Sequence, residues 1–412
     1  MNLCVILVLC GLFHADPDTV VIRGIYINPY QAAKKSYLEQ VFLKADSGLI
    51  NTIIVDFKSD YGFLAYPSKI ELAEEMGAIK RYIDVDYLLE NAALHGLKVI
   101  ARIVCFRDDY LGHYDDYGIQ DDSGEVWLDK NGLAWTNPYK KEVREYLLDV
   151  TKEITELGIK SVAFDYIRFP TDGAIERIKL SDVTGPRSAP ILEFLKAVKE
   201  EFQSEIEIGV CVFGFAVWHA LKTEGQIIEK MAEYVDVLYP MLYPSHFGWS
   251  FKREMNEYWR NYWIYFDSVE EAKRKLPDRV KVIPFVQGFD LRAESFDSDY
   301  VSAQIYGALA ADADGFLIWH AGGDYSISWT SLLSVRSSIL RQFAQIDLNN
   351  RMKEEGRRYQ DIALHPVSAL WKTQKKNLTT DRIHSRIDNL PSGKSPRTST
   401  GIHRSFLDPV LP

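Results

Sequence analysis

The chain has 412 residues, is 47% hydrophobic and 26% charged, and carries a formal net charge of -10, a composition that supports a large buried core and excludes wholesale disorder. Residues 346–412 hold twelve Lys/Arg against seven Asp/Glu, which leaves 36 basic and 51 acidic side chains in residues 1–345. An acidic body with 13% aromatic residues excludes nucleic acid as the expected partner and suits a neutral or basic ligand.

Leu3 to Phe13 is an uncharged run with the length of a signal-peptide apolar region, too short to cross ~30 Å of hydrocarbon as a helix. Residues 1–15 are therefore expected to be a leader that directs export to the periplasm, the cell envelope or the exterior. Leu7-Val-Leu-Cys10 is also similar to a loose lipoprotein signal, which would add membrane anchoring at the N-terminus. No protein partner is indicated.

From Val20 onward one pattern repeats: a short apolar, β-branched run, a polar or aromatic tip, then a stretch of helical period. The runs are Val20 to Ile27, Thr52 to Phe57, Lys98 to Phe106, Ser161 to Phe169, Ile206 to Phe213, Val235 to Leu242, Val280 to Val286 and Gly315 to His320. Helices are expected over Ala32 to Ala45, Asp84 to His95, Lys140 to Leu157, Pro190 to Phe202, Gln226 to Glu233, Phe251 to Lys275, Asp299 to Ala310 and Thr330 to Phe343. Gly96 and Gly158 sit where left-handed C-terminal caps belong, and Asn137-Pro138 reads as an N-cap with an N1 proline.

Eight strand–helix alternations predict an α/β protein, a (β/α)8 TIM barrel over residues 16–345. A doubly wound open sheet is the competing architecture, but no GxGxxG follows the first run. The enlarged loops, Ser59 to Arg81 and Arg107 to Tyr139, follow the second and third strands and so belong to the C-terminal face of the barrel. After Ile346 the periodicity fades, and residues 346–412 are expected to be a polar, basic, mostly disordered tail with a short helix at Arg351 to Leu364.

The C-terminal strand ends of such barrels carry function. They present Asp56, Lys58 and Asp60 on the second strand, Asp108 and Asp109 after the third, and Asp165, Arg168 and Asp172 at the fourth. Tyr239, Tyr243 and His246 follow at the sixth, Gln287, Asp290 and Glu294 at the seventh, and Trp319 and His320 at the eighth. Asp56 and Asp165 lie on alternate strands, whose inward side chains share a layer, so they are expected to face one another. Two carboxyl groups are what a glycosidase needs, at ~5–5.5 Å for retention or ~6.5–9.5 Å for inversion. Arg168 or Lys58 would keep one acid ionised, and apolar surroundings would raise the other. Aromatic rings at the mouth, among them Tyr239, Tyr243, Trp249 and Trp319, serve either core packing or sugar stacking.

Cys4, Cys10, Cys105 and Cys211 form no CxxC pair, and the histidines form no HxH or HExxH. No metal or cofactor is expected, and Cys105 and Cys211 read as small buried hydrophobes.

Six ordered segments carry a family resemblance: Arg23-Gly-Ile-Tyr-Ile, Asn51-Thr-Ile-Ile-Val-Asp-Phe-Lys-Ser-Asp-Tyr-Gly62, Ala101-Arg-Ile-Val-Cys-Phe-Arg-Asp108, Trp135-Thr-Asn-Pro138, Phe164-Asp-Tyr-Ile-Arg-Phe-Pro170 and Tyr239-Pro-Met-Leu-Tyr-Pro244. Through them the chain resembles the putative glycosyl hydrolase domain family, mostly bacterial barrel proteins. The resemblance implies an exported, carbohydrate-active protein with Asp56, Lys58, Asp108, Asp165 and Arg168 on the family's polar strand-end motifs.

The resulting expectation is a glycoside hydrolase of a cell-envelope or extracellular polysaccharide, with Asp165 as nucleophile or base and Asp56 as acid. Asp290 and Glu294 are the second choices for the partner acid. Lys58, Asp108, Arg168, Tyr239, Tyr243, Gln287 and Trp319 are expected to bind substrate. A non-catalytic glycan-binding or envelope structural barrel is the alternative. A carboxyl pair in a cleft would favour the enzyme, and an Asp165 ion-paired and closed to solvent would favour the alternative.

Overall fold

The computed structural model describes residues 21–180, 185–248 and 250–337. The expected leader, Trp249 and the tail lie outside these residues.

Eight parallel staves close into a barrel. The strands are β1 (Ile22–Ile27), β2 (Thr52–Lys58), β3 (Lys98–Val104), β4 (Ser161–Asp165), β5 (Glu207–Phe213), β6 (Val237–Met241), β7 (Lys281–Val282), β8 (Phe285–Gln287) and β9 (Gly315–Trp319). β1 pairs with both β2 and β9, which seals the ring. The seventh stave is split: β7 pairs with the start of β6, whereas β8 meets Met241 and then runs along β9. The break falls at Ile283-Pro284, where proline has no N–H for the ladder.

Between the strands lie α1 (Pro29–Ala32), α2 (Lys35–Asp46), α3 (Glu71–Glu75), α4 (Val85–Leu94), α5 (Asp109–Gly112), α6 (Lys141–Glu156), α7 (Ser188–Phe202), α8 (Ile228–Met231), α9 (Glu257–Lys275) and α10 (Ser298–Ala310). On α6 the apolar stripe Val143, Leu147, Val150 and Ile154 is fully buried, as its spacing predicts. The α6 cap differs from expectation. Lys140 occupies the N-cap without a side-chain capping bond, and Asn137 instead accepts from Tyr139 N in the preceding turn. Gly96 and Gly158 adopt φ of 66° and 99°, the left-handed geometry that ends a helix. The closing helix is described over 326–337.

The barrel interior alternates large and small residues. Tyr26, Ile54, Ile100, Ala163, Cys211, Tyr239, Phe285, Leu317 and Trp319 form its continuous core. Gly209 makes this possible for Tyr239, since a Cβ there would stand 2.3 Å from the Tyr239 ring. Cys105 and Cys211 are free and buried. Among the described residues no helix is long and apolar enough to cross a membrane.

Candidate functional site

The core ends at its C-terminal side in a charged layer. Asp56, near the end of β2, and Arg102, in the middle of β3, are register partners. Asp165, the last residue of β4, stands beside Val104. Arg102 therefore projects into the layer between the two acids. Its Nη1 donates to Asp56 Oδ1 at 2.7 Å, and its Nε donates to Asp165 Oδ2 at 2.8 Å. Nη2 lies 2.7 Å from that same Asp165 oxygen. Two such bonds to one planar guanidinium hold the facing carboxylate oxygens within roughly 8 Å, a limit compatible with either glycosidase class. The expected pairing of Asp56 with Asp165 in one layer is present, with an arginine between them.

The remaining acceptor positions are also occupied. Tyr26 of β1 donates its hydroxyl hydrogen to Asp56 Oδ2 at 2.7 Å. Asp165 Oδ1 accepts from the N–H of Tyr166 at 2.7 Å. Tyr166 has φ of 47°, a left-handed conformation costly for a bulky residue and placed directly after the acid. The ring of Trp319 stacks on Tyr26 with centroids 3.7 Å apart and lies 4.9 Å from the Arg102 guanidinium carbon. Asp56 is 1% exposed, Arg102 2% and Asp165 3%.

One cation serving two buried carboxylates leaves excess negative charge out of water. Burial accordingly pushes Asp56 up to about 6, against the pull of Arg102 and of the Tyr26 hydroxyl. The Arg102 guanidinium is itself held above its ordinary value by the two acids, which outweigh its burial.

Lys58 and Arg168 lie elsewhere. Lys58 forms a fully buried ion pair with Asp108 at 2.6 Å and donates to Val104 O. Asp108 also caps α5 by accepting from Leu111 N. Arg168 packs its guanidinium over Phe213, Tyr166 and Trp135 and donates to Phe169 O. Burial lowers Arg168 from its ordinary value. Asp60 pairs with Arg107 Nη1 at 2.9 Å, and the same arginine's Nε meets Asp129. Asp172 pairs with Lys130 at 3.2 Å on the surface.

The residues singled out on the later staves do not join the acid pair directly. Gln287 is a buried loop anchor, accepting from Ser245 N and donating to Phe289 O and Leu291 O. Tyr239 and Tyr243 are fully buried, the latter edge-on to His246 and Phe289. Burial lowers His246 to about 4. Asp290 and Glu294 are exposed in the loop after β8. Among the described residues no cluster of His, Cys, Asp or Glu is placed to hold a metal ion.

Sequence reasoning missed Arg102 and Tyr26. The signal for Arg102 was available: a guanidinium inside Val99-Ile-Ala-Arg-Ile-Val104 cannot be buried without acids to meet it.

The fold has counterparts among solved structures. The glycoside hydrolase domain of PgaB (BpsB) from Bordetella bronchiseptica is 11% identical, with a TM-score of 0.57, and the match covers 77% of this chain and 98% of that one. A hypothetical protein from Ruminiclostridium thermocellum is 29% identical over 45% of this chain and 96% of its own, with a TM-score of 0.43. No curated protein matches the chain. Residues 24–325, which contain every strand after the start of β1 and the whole charged layer, match the family described as "Putative glycosyl hydrolase domain", and the chain belongs to that family.

Proposed function

We propose that the protein hydrolyses glycosidic bonds of an exported or cell-envelope polysaccharide, with Asp56 as proton donor and Asp165 as nucleophile or base. The observation that carries this reading is the Asp56–Arg102–Asp165 bridge across three adjacent staves. Its two carboxyl groups occupy unlike environments. Asp56, raised to about 6 by burial, meets a neutral hydroxyl and one guanidinium nitrogen. Asp165 faces two guanidinium nitrogens and a backbone N–H. Such asymmetry separates an acid from a nucleophile in two-carboxylate hydrolysis. Family membership supports the reaction class, and the acidic body supports a substrate without anionic groups. Export is part of the same proposal, resting on the apolar run Leu3 to Phe13.

A second reading is favoured by one observation: Asp165 is 3% exposed and engaged by Arg102. That arrangement suits a non-catalytic glycan-binding barrel in which the three charges hold the strands together.

Hydrolysis of neutral, amino-sugar and cell-wall glycans by wild type, Asp165→Asn and Asp56→Asn separates the two. The hydrolase reading expects release of reducing ends by wild type and loss of about 100-fold or more in each variant. Release that persists undiminished in both variants would remove these residues from the chemistry. Binding without any release would establish the second reading.

A further inference from the structure

An exposed aromatic surface lies on the segments that follow β1 and β2. Tyr30 is 49% exposed, Tyr61 42% and Tyr82 37%, and all three surround the buried Phe63. Ring centroids are 5.1 Å apart for Tyr30 and Tyr82, 5.7 Å for Phe63 and Tyr82, and 6.5 Å from Phe63 to both Tyr30 and Tyr61. These residues are remote in sequence, and three separate turns bring them together. Asn28 caps α1 and sets Tyr30; the Ser59–Gly62 turn sets Tyr61 and Phe63; Tyr82 donates its N–H to Ala65 O just before Asp84 caps α4.

Two features distinguish the patch from exposed packing residues. Among the described residues none of the three tyrosine hydroxyls has a hydrogen-bond partner, so each ring offers an apolar face and an uncommitted polar tip. The patch also has a fixed acidic neighbour: Asp60, next to Tyr61 in the chain, is ion-paired to Arg107 at 2.9 Å. Burial raises the Tyr30 phenol above its ordinary value, with Tyr82, Tyr61 and Asp60 adding to the effect, and Asp60 acts in the same direction on Asp56.

We propose that Tyr30, Tyr61 and Tyr82, seated around Phe63, form a stacking subsite for an extended chain of uncharged or cationic pyranoses. Contiguous exposed aromatic surface of this kind marks a binding site. Pyranose rings present flat C–H faces with hydroxyls at their edges, which match rings that carry hydroxyls at theirs. The acidic body disfavours uronic acids. The inference deepens the proposed function by naming the substrate's chemistry, and rests on that reading only for the fate of the bound chain.

Affinity gel electrophoresis of the full chain in chitosan, a neutral β-glucan and polygalacturonate tests it, with Tyr30→Ala, Tyr61→Ala, Tyr82→Ala and the triple variant beside wild type. The expected result is retardation of wild type by chitosan or β-glucan but not by polygalacturonate. Each alanine should weaken retardation by up to about tenfold, with Tyr61→Phe retaining most of it. Retardation by polygalacturonate alone or by none of the polymers overturns the inference, as does a triple variant with wild-type thermal midpoint and unchanged retardation. Tyrosine-dependent binding with no reducing ends released supports the subsite and defeats the hydrolase reading. Hydrolysis with tyrosine-independent binding defeats the subsite and leaves the hydrolase reading intact.

Discussion

Arg102 donates to Asp165 through Nε at 2.8 Å while its Nη1 reaches Asp56 at 2.7 Å, so the guanidinium fork spans from its own register partner on one side to the last residue of the next stave on the other. Arginine suits this task because its donors lie in one rigid plane and it stays charged when buried. Lysine would offer a point charge on a flexible stem. The bridge is also where strand order becomes chemistry: acids on alternate staves meet only because the stave between them contributes the cation.

Removing that cation leaves two carboxylates facing each other out of water. Arg102→Met should therefore destabilise the fold by about 3–5 kcal/mol, the cost of orphaning buried charge rather than the net worth of the bridge. Adding Asp56→Asn and Asp165→Asn to the same chain should recover more than half of the loss, because nothing is then left uncompensated. Urea unfolding monitored by tryptophan fluorescence measures both. A single Arg102→Met variant within about 1 kcal/mol of wild type would show that the acids do not depend on it.

The pH dependence of Asp56 has a definite sign. Its carboxyl sits at about 6 in the folded chain against an ordinary value of 3.8. The native state therefore binds the proton more tightly than the unfolded chain does. Its contribution is fully present below about pH 4 and is lost as pH rises through about 6, a change on the order of 3 kcal/mol. The stability difference between wild type and Asp56→Asn, taken from urea midpoints across this window, should fall with rising pH and then level off. A difference that is flat, or that grows with pH, would contradict the assignment.

The barrel was legible in the sequence because its strands are buried on both faces and read as continuous apolar runs, with Gly96 and Gly158 marking where helices stop. Asp56 and Asp165 were legible because strand-end position and alternate-strand layering follow from the fold alone. Their cation was not, because proximity in sequence pointed to Arg168, three residues from Asp165. In space Arg168 turns toward Phe213 and Tyr166, and Lys58 turns across to Asp108. Period-two reasoning places a side chain on a face, but it does not say which neighbour across the sheet will reach that face first. The exposed rings were hard to read for a related reason. Tyr239 fills the space above Gly209 inside the barrel, whereas Tyr30 sits on the one-turn helix α1 and Tyr61 and Tyr82 on irregular loop, none of which carries a periodic signal.

Gly62 ties the loop after β2 to the buried Lys58–Asp108 pair. It has φ of 98°, and a Cβ added there would stand 2.0 Å from Asp108 Oδ1. Gly62→Ala meets both a backbone penalty and a clash with a carboxylate that is itself held by Lys58 and Leu111 N. The expected loss is about 2–4 kcal/mol, more than the ~1 kcal/mol of a left-handed alanine alone. Thermal unfolding checks the size. Gly77→Ala serves as the control, since φ there is 65° with open space around the new methyl. Equal losses at the two positions would mean that the Asp108 contact adds nothing.

Tyr26→Phe isolates the hydroxyl that faces Asp56. The phenylalanine ring keeps the stack on Trp319, whose centroid lies 3.7 Å from that of Tyr26, so the packing around Arg102 should change little. What disappears is the hydrogen bond to Asp56 Oδ2, a contact that holds the carboxyl below where burial alone would put it. Without it Asp56 should titrate at a higher pH than in wild type, and the window over which its stability contribution is lost should move upward with it. The accompanying stability loss at neutral pH should be about 1.5–3 kcal/mol, the range for a hydrogen bond to a charged group. Under the hydrolase reading the alkaline limb of the rate profile, set by the protonated form of Asp56, shifts in the same direction. Urea midpoints for Tyr26→Phe and Tyr26→Phe/Asp56→Asn across pH give the shift directly. A window that stays where wild type has it, or moves to lower pH, would mean that the Tyr26 hydroxyl does not control this proton.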